Sequence, residues 1–220
     1  MKIGLFGGTF DPIHWGHLRS AEEAREGFRL DRVLFVPTSE PPHKKRKPTT
    51  SGQNRLEMVR LAIANNPGFG LSSVELSRPG KSYTIDTLRH FKRTQSVKDS
   101  FYFILGLDAF REIASWKDFR EIFSLCHLIV TSRPGCEASM SLKGMPVAVR
   151  KLFCYDSKKK VYRHESGSFI YFFKLTDIAI SASEIRHRLK EEKSIRYLVP
   201  PEVERCIKRR GLYRGRQEGR

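Results

Sequence analysis

The sequence predicts an α/β fold: a mostly parallel sheet with helices on both faces and a small helical C-terminal part. Short uncharged apolar runs of strand length alternate with stretches whose apolar residues recur at helical spacing. Several runs also end at glycine or proline and pass directly into a helix start. Such alternation implies right-handed crossovers and hence a parallel sheet buried on both sides. At 220 residues, 39% of them hydrophobic, the chain is long enough to bury one full core. A single domain is expected over residues 1–213. Residues 134–168 are an atypical, insertion-like segment within it, and 214–220 a basic tail expected to be disordered.

Lys2 to Phe6 is the first strand-like run, and a helix is expected from about His17 to Glu26. Arg32 to Pro37, closed by proline, reads as a buried strand, and Ser39 to Gly52 as a basic, proline-rich loop. Gln53 to Asn65 has helical spacing with Leu56, Val59 and Ile63 on one face, stopped by Asn66-Pro67-Gly68. Phe69 to Val74 is the next candidate strand, Arg78-Pro79-Gly80 a turn, and Ser82 to Arg93 enters a helix. Ser100 to Gly106 reads as a central strand and meets a helical pattern through Ile113. A short helix over Asp118 to Phe123 precedes a strand at His127 to Thr131. Pro134 to Ser168 mixes glycine, proline and basic residues with short apolar pieces and fits no motif. Phe169 to Leu175 is again strand-like, Ile180 to Glu192 helical with Ser181 and Glu184 as a capping box, and the last helix starts at Pro201 and ends at Gly211.

The stretch the rest serves is Gly7-Gly8-Thr9-Phe10-Asp11-Pro12-Ile13-His14-Trp15-Gly16-His17. Strand, glycine turn and helix start form the layout of a phosphate cradle, in which free N–H groups of the first helical turn point at an anion. His14 and His17, three residues apart, add donors able to flank the same anion. No Lys-Ser/Thr follows the glycines and no three-glycine dinucleotide pattern is present, so this is neither of those loops. A second anion site is read at the start of the helix after Ile180, with Ser183 among its first N–H groups and Arg186 on its first turns. Ligands of such sheets bind at the carboxyl ends of strands, near a switch in strand order, and Gly7 and Gly106 both lie at such ends.

Charge narrows the partners. Forty-one basic against 24 acidic residues give +17, which favours polyanions. The basic runs Lys44–Lys47, Lys158–Lys160 and Lys208–Arg210 are poor in aromatic residues, so the charge is credited with nonspecific attraction alone. No apolar run approaches the length of about 18 residues that a membrane span needs. The four cysteines, Cys126, Cys136, Cys154 and Cys206, lack the spacing of a metal knuckle or redox pair. With no signal-peptide pattern at the start, free thiols in a reducing cytoplasm are the reading.

Residues 7–17 resemble the His-x-Gly-His signature of the nucleotidylyltransferase superfamily, with His14, Gly16 and His17 in register. The longer Gly-Gly-Thr-Phe-Asp-Pro-x-His-x-Gly-His form is similar to that of the bacterial nicotinate-nucleotide adenylyltransferases. The resemblance covers residues 1–133 and 169–213 and implies a Rossmann-like nucleotidylyltransferase fold. It implies transfer of the adenylyl group of ATP to nicotinate mononucleotide, with Mg²⁺ carried by the ATP phosphates and no protein metal site. By the same resemblance, Gly7, Gly8, Thr9, Phe10, His14, Gly16 and His17 belong to the ATP site, the two histidines at the α-phosphate. Ser181, Ser183 and Arg186 meet the β- and γ-phosphates, with Ala182 a departure from the usual Ser-rich motif. Gly106 and Asp108 match a ribose-contacting Gly-x-Asp. His43 and Lys44 resemble the loop reaching the acceptor phosphate, and Ser82, Tyr83, Thr84 and Trp116 the nicotinate pocket. His14, His17 and Arg186 are the expected catalytic residues.

Adenylyl transfer to a phosphate needs no covalent nucleophile, because the acceptor is already an anion at neutral pH; alignment and charge relief suffice. Two sibling acceptors stay open, nicotinamide mononucleotide and pantetheine phosphate. From another class, a non-catalytic RNA-binding protein would account for the charge but leaves both glycine turns unexplained. Oligomeric state is left open by the sequence.

Overall fold

The computed structural model describes residues 1–40, 48–132 and 145–214. Eight strands in these residues form one sheet: β1 (Lys2–Gly8), β2 (Arg32–Pro37), β3 (Phe69–Leu71), β4 (Ser100–Gly106), β5 (His127–Ser132), β6 (Phe153–Asp156), β7 (Val161–His164) and β8 (Phe169–Lys174). Their order is β3-β2-β1-β4-β5-β8-β7-β6, with the first six strands parallel and the last two joined antiparallel.

Period-two alternation along the central strands divides the interior into two layers. In β4, Phe101, Phe103 and Leu105 enter one core while Tyr102 and Ile104 enter the other. The first core is covered by α3 (Thr84–Thr94), α4 (Leu107–Arg111), α5 (Phe119–Leu125) and α6 (Val147–Arg150). The second is covered by α1 (Trp15–Phe28), α2 (Gly52–Ile63), α7 (Ala182–Lys190) and α8 (Pro201–Arg209). Each fully buried Leu, Ile or Phe among these contributes about 1.5–3 kcal/mol. The α/β fold class expected from the sequence is the one found.

Three local expectations are corrected. In α2 the inner face keeps Val59 and Ile63 as expected, with Met58 widening it, but Arg55 is buried where Leu56 was expected. The helix turns inward on an arginine because backbone carbonyls await it there, as described below. The strand after Pro67 ends at Leu71 rather than Val74, the chain turning away once Ser72 N–H has reached Phe35 O at 2.9 Å. Within the motif-poor middle, β6 and β7 form a hairpin, pairing Cys154 with Arg163 and Tyr155 with Tyr162, and extend the sheet. Asp156 builds its turn: Oδ1 accepts from the N–H groups of Lys158 at 3.1 Å and Lys159 at 3.0 Å. The C-terminal helix has Pro201 in its first turn, and Gly211 follows it at φ +59°, a left-handed conformation suited to glycine.

Candidate active site

The strand order reverses between β1 and β4, which lie side by side with Phe6 opposite Ile104. Their carboxyl ends are Gly7-Gly8 and Gly106, so both sequence-marked turns open at the switch point. From there the chain runs through Thr9–Ile13 into α1, whose N-cap is His14. The rings of His14 and His17 stack with centroids 3.7 Å apart and planes at 29°. The His14 N–H donates to His17 Nδ1 at 3.3 Å. An acceptor role for Nδ1 places the proton of a neutral His17 ring on Nε2.

This geometry alters the cradle. The Trp15 N–H donates to Leu198 O at 3.3 Å and the His17 N–H to His14 O at 3.0 Å. Two first-turn N–H groups expected to face an anion are therefore engaged inside the protein, which shifts the weight to the imidazoles. The ring of Phe10 is buried and packs edge-on to Phe6, at 5.7 Å, and to His17, at 5.1 Å. Phe10 as a whole is 2% exposed, so it supports the turn from within. Gly8 is tight for the same reason, since a Cβ there would stand 2.8 Å from the Phe10 ring. At Gly16 a Cβ would stand 3.1 Å from His14 Nδ1, so the missing side chain is what lets the His14 ring lie over the helix start.

Residues outside the expected site hold the loop. Arg55, 1% exposed, donates from Nη1 to Thr9 O and Thr38 O, both at 2.7 Å, and from Nη2 to Ser39 O at 3.3 Å. Burial lowers its pKa, opposed by the charge of Asp11. The Asp11 carboxylate is buried and accepts from Thr49 N–H at 2.6 Å and Tyr213 Oη at 2.7 Å. Burial and the Asp11 charge both push the Tyr213 hydroxyl well above its ordinary pKa, so it stays a donor. An arginine in register with the apolar residues of α2 was the available signal for Arg55; Tyr213 gave none.

The second helix mouth meets the first. Arg186 Nη1 donates to Asp11 O at 2.6 Å, and Ile180 O lies 3.7 Å from the Cβ position of Gly16. Ser181 caps α7 by accepting from Glu184 N–H at 3.2 Å, and its Oγ lies 3.1 Å from that of Ser183. The capping box is half-formed: Glu184 faces Arg188 at 4.0 Å instead of returning to Ser181. Asp108 stands exposed in the first turn of α4, just beyond Gly106.

On the other side of β4, Phe103 lies 3.6 Å from the Cβ position of Gly7 and edge-to-face with Trp116 at 6.2 Å. Tyr83 is the N-cap of α3, so Thr84 begins a helix mouth beside them. Ion pairs of Arg89 with Asp86, Asp118 and Glu121, and of Lys117 with Asp86, tie α3 to the Trp116–Asp118 turn. Lys117 Nζ also sits 4.9 Å over the Tyr83 ring. The Ser82 side chain is buried, and its Oγ accepts from Ser39 N–H at 3.0 Å, next to the start of α3. His43 and Lys44 lie outside the described residues.

Residues 5–188 match the model of the cytidylyltransferase-like family. A probable nicotinate-nucleotide adenylyltransferase of Syntrophotalea carbinolica is 45% identical over 217 residues, 99% of each chain. Another from Geotalea daltonii is 47% identical over 213 residues, 97% of this chain and 98% of that one. Among solved structures, Plasmodium falciparum nicotinic acid mononucleotide adenylyltransferase complexed with NaAD superposes with a TM-score of 0.72 at 22% identity, covering 96% of this chain and 97% of that one. That likeness establishes the shared fold. Together with full-length relatives at this identity, it makes the chain a member of the cytidylyltransferase-like family and, within it, of the nicotinate-nucleotide adenylyltransferases.

Proposed function

We propose that the protein transfers the adenylyl group of ATP to nicotinate mononucleotide, giving deamido-NAD and pyrophosphate. The observation that carries this is the stacked His14–His17 pair at the strand-order switch, closed from the far end of the chain by Arg186 through Asp11. A phosphate oxygen of the acceptor forms a bond to the α-phosphorus while the bond to the bridging oxygen of pyrophosphate breaks; no proton need move. His14 and His17 donate to the α-phosphate as its charge grows, and Arg186 with Ser181 and Ser183 receives the departing pyrophosphate. Backbone groups of Gly7, Gly8, Thr9, Phe10 and Gly16 let the nucleotide approach, and Gly106 and Asp108 take the ribose hydroxyls. The α3 mouth at Tyr83-Thr84 meets the nicotinate carboxylate, Trp116 stacks on the pyridine, and His43 and Lys44 serve the acceptor phosphate.

Among the described residues no cluster of three His, Cys, Asp or Glu side chains is placed to hold a metal. We propose that Mg²⁺ would enter on the ATP phosphates and would supply charge neutralisation there. No helix among the described residues is long and apolar enough to cross a membrane. A cytoplasmic enzyme with residues 1–213 as one catalytic unit, residues 134–168 inserted in it, is the reading we favour, with no specific nucleic-acid partner. The test is pyrophosphate release from ATP with nicotinate mononucleotide, its amide analogue and pantetheine phosphate in parallel. Turnover with the first is expected, and turnover with pantetheine phosphate alone would overturn the proposal.

A further inference from the structure

Glu75 lies in the turn between β3 and α3, outside every motif of the sequence, yet it is only 7% exposed. Its Oε1 accepts from the Thr87 hydroxyl at 2.8 Å, and that hydroxyl in turn accepts from Arg78 Nη2 at 2.7 Å. The hydroxyls of Ser82 and Thr38 lie near enough to favour its ionised form, although Oε2 lacks a partner at regular hydrogen-bond geometry. Burial outweighs them and raises the carboxyl's pKa. A buried carboxylate with one oxygen short of partners is costly. Two cations face its charge, Arg78 beside it and, more weakly, the buried Arg55.

What the four groups around it share is location. Thr38 ends the β2 crossing and leads to Ser39 and Glu40, the last described residues before the loop with His43 and Lys44. Ser82 precedes the α3 mouth, holds Ser39 N–H on its Oγ and donates its own N–H to Glu40 O at 3.0 Å. Thr87 and Arg78 fix the first turns of α3 against the same carboxylate. The root of the acceptor loop and the Tyr83-Thr84 mouth are thereby referred to one buried point.

We infer that Glu75 is a positioning residue for the acceptor substrate: through Ser82, Thr38 and Thr87 it sets the chain at Thr38–Glu40 and the α3 mouth at the spacing that nicotinate mononucleotide spans. ATP, held by the His14–His17 pair, depends on it less, because Arg55, which braces the loop before that pair, draws its charge support from Asp11 ahead of Glu75. This rests on the function proposed above. Because burial opposes charge at Glu75 and Arg55 leans first on Asp11, Glu75→Gln should leave the protein folded.

The experiment is steady-state pyrophosphate release by Glu75→Gln, Thr87→Val and Thr87→Ser, with thermal unfolding of each. Glu75→Gln is expected to raise the KM for nicotinate mononucleotide about tenfold, as loss of a charged hydrogen-bond acceptor would, with the KM for ATP within about twofold and the Tm unlowered. Thr87→Val should shift the acceptor KM the same way, and Thr87→Ser should restore it. Equal shifts in both KM values, or no shift in a folded Glu75→Gln protein, would overturn the inference. If Glu75→Gln fails to fold, the Thr87 pair decides, a Val variant with normal acceptor KM being fatal. A wild-type enzyme inactive on nicotinate mononucleotide would instead sink the functional proposal and leave this geometry unexplained.

Discussion

Replacing His17 with alanine removes two interactions whose sizes differ enough to separate. The ring's Nδ1 accepts the His14 N–H at 3.3 Å, a helix-start bond of the kind whose loss costs about 1 kcal/mol. For a chain of this length that corresponds to a fall in Tm of about 2–4 °C. Its contact with the Phe10 ring adds a little more. The same bond directs the Nε2 proton outward, where a preorganised donor to a charged transition state is worth about 100- to 1,000-fold in kcat. His17→Ala should therefore lose at least about a hundredfold in turnover while remaining folded at 25 °C. His17→Gln offers a carbonyl oxygen to the His14 N–H and an amide donor beyond it. It should recover the Tm and only part of the rate. Coupled pyrophosphate release gives the kinetics and circular dichroism melting the stability. A rate loss below about fivefold in a folded His17→Ala protein would refute the assignment of His17 to the phosphates, since such donors contribute far more.

Arg186 already commits Nη1 to the Asp11 carbonyl, so a lysine there must choose between loop and phosphate; Arg186→Lys should raise the KM for ATP about tenfold, and normal ATP kinetics would place the second anion site elsewhere. A helix mouth at Thr84 offers donors to a carboxylate and mispairs with a carboxamide, so kcat/KM should favour the acid acceptor by at least about a hundredfold. Trp116→Ala should lower kcat/KM for acid and amide alike, by roughly three- to tenfold, because stacking ignores the carboxylate. Arg55→Met takes the donor from three carbonyls and the nearby cation from Asp11, and should cost about 3–5 kcal/mol in urea unfolding; a loss under about 1 kcal/mol would show the brace to be dispensable. Thiol labelling with peptide mapping should modify exposed Cys154 at once and Cys126, whose pKa burial pushes up to about 12, only on unfolding.

The sequence made the architecture readable because each central strand is apolar within its ends and each crossover has a strong start and stop. The layout of β1, the glycine loop and α1, and the capped start of α7, follow from local residue chemistry. What it hid is tertiary. Arg55 reads as a polar interruption of the α2 stripe, yet it is the most buried residue of that helix's first turn, because its partners Thr9, Thr38 and Ser39 come from other segments. Ser82 sits inside a pocket motif, but its hydroxyl was claimed by Ser39, 43 residues away. The hairpin at 153–164 had a legible turn, Asp156-Ser157 followed by three lysines. The strands on either side were too short to stand out.

Asp11 receives Tyr213 across 202 residues of chain, and its carbonyl receives Arg186 across 175. During synthesis at about 5–20 residues per second, the glycine loop would leave the ribosome roughly 10–40 s before the tyrosine that anchors it. A nascent chain can fold its first strands and helices in that interval, but its nucleotide loop stays unlatched until the final helix has docked. The last latch is then a late event, and a chain broken off before residue 213 keeps the Arg55 and Arg186 contacts but leaves the Asp11 carboxylate without its tyrosine.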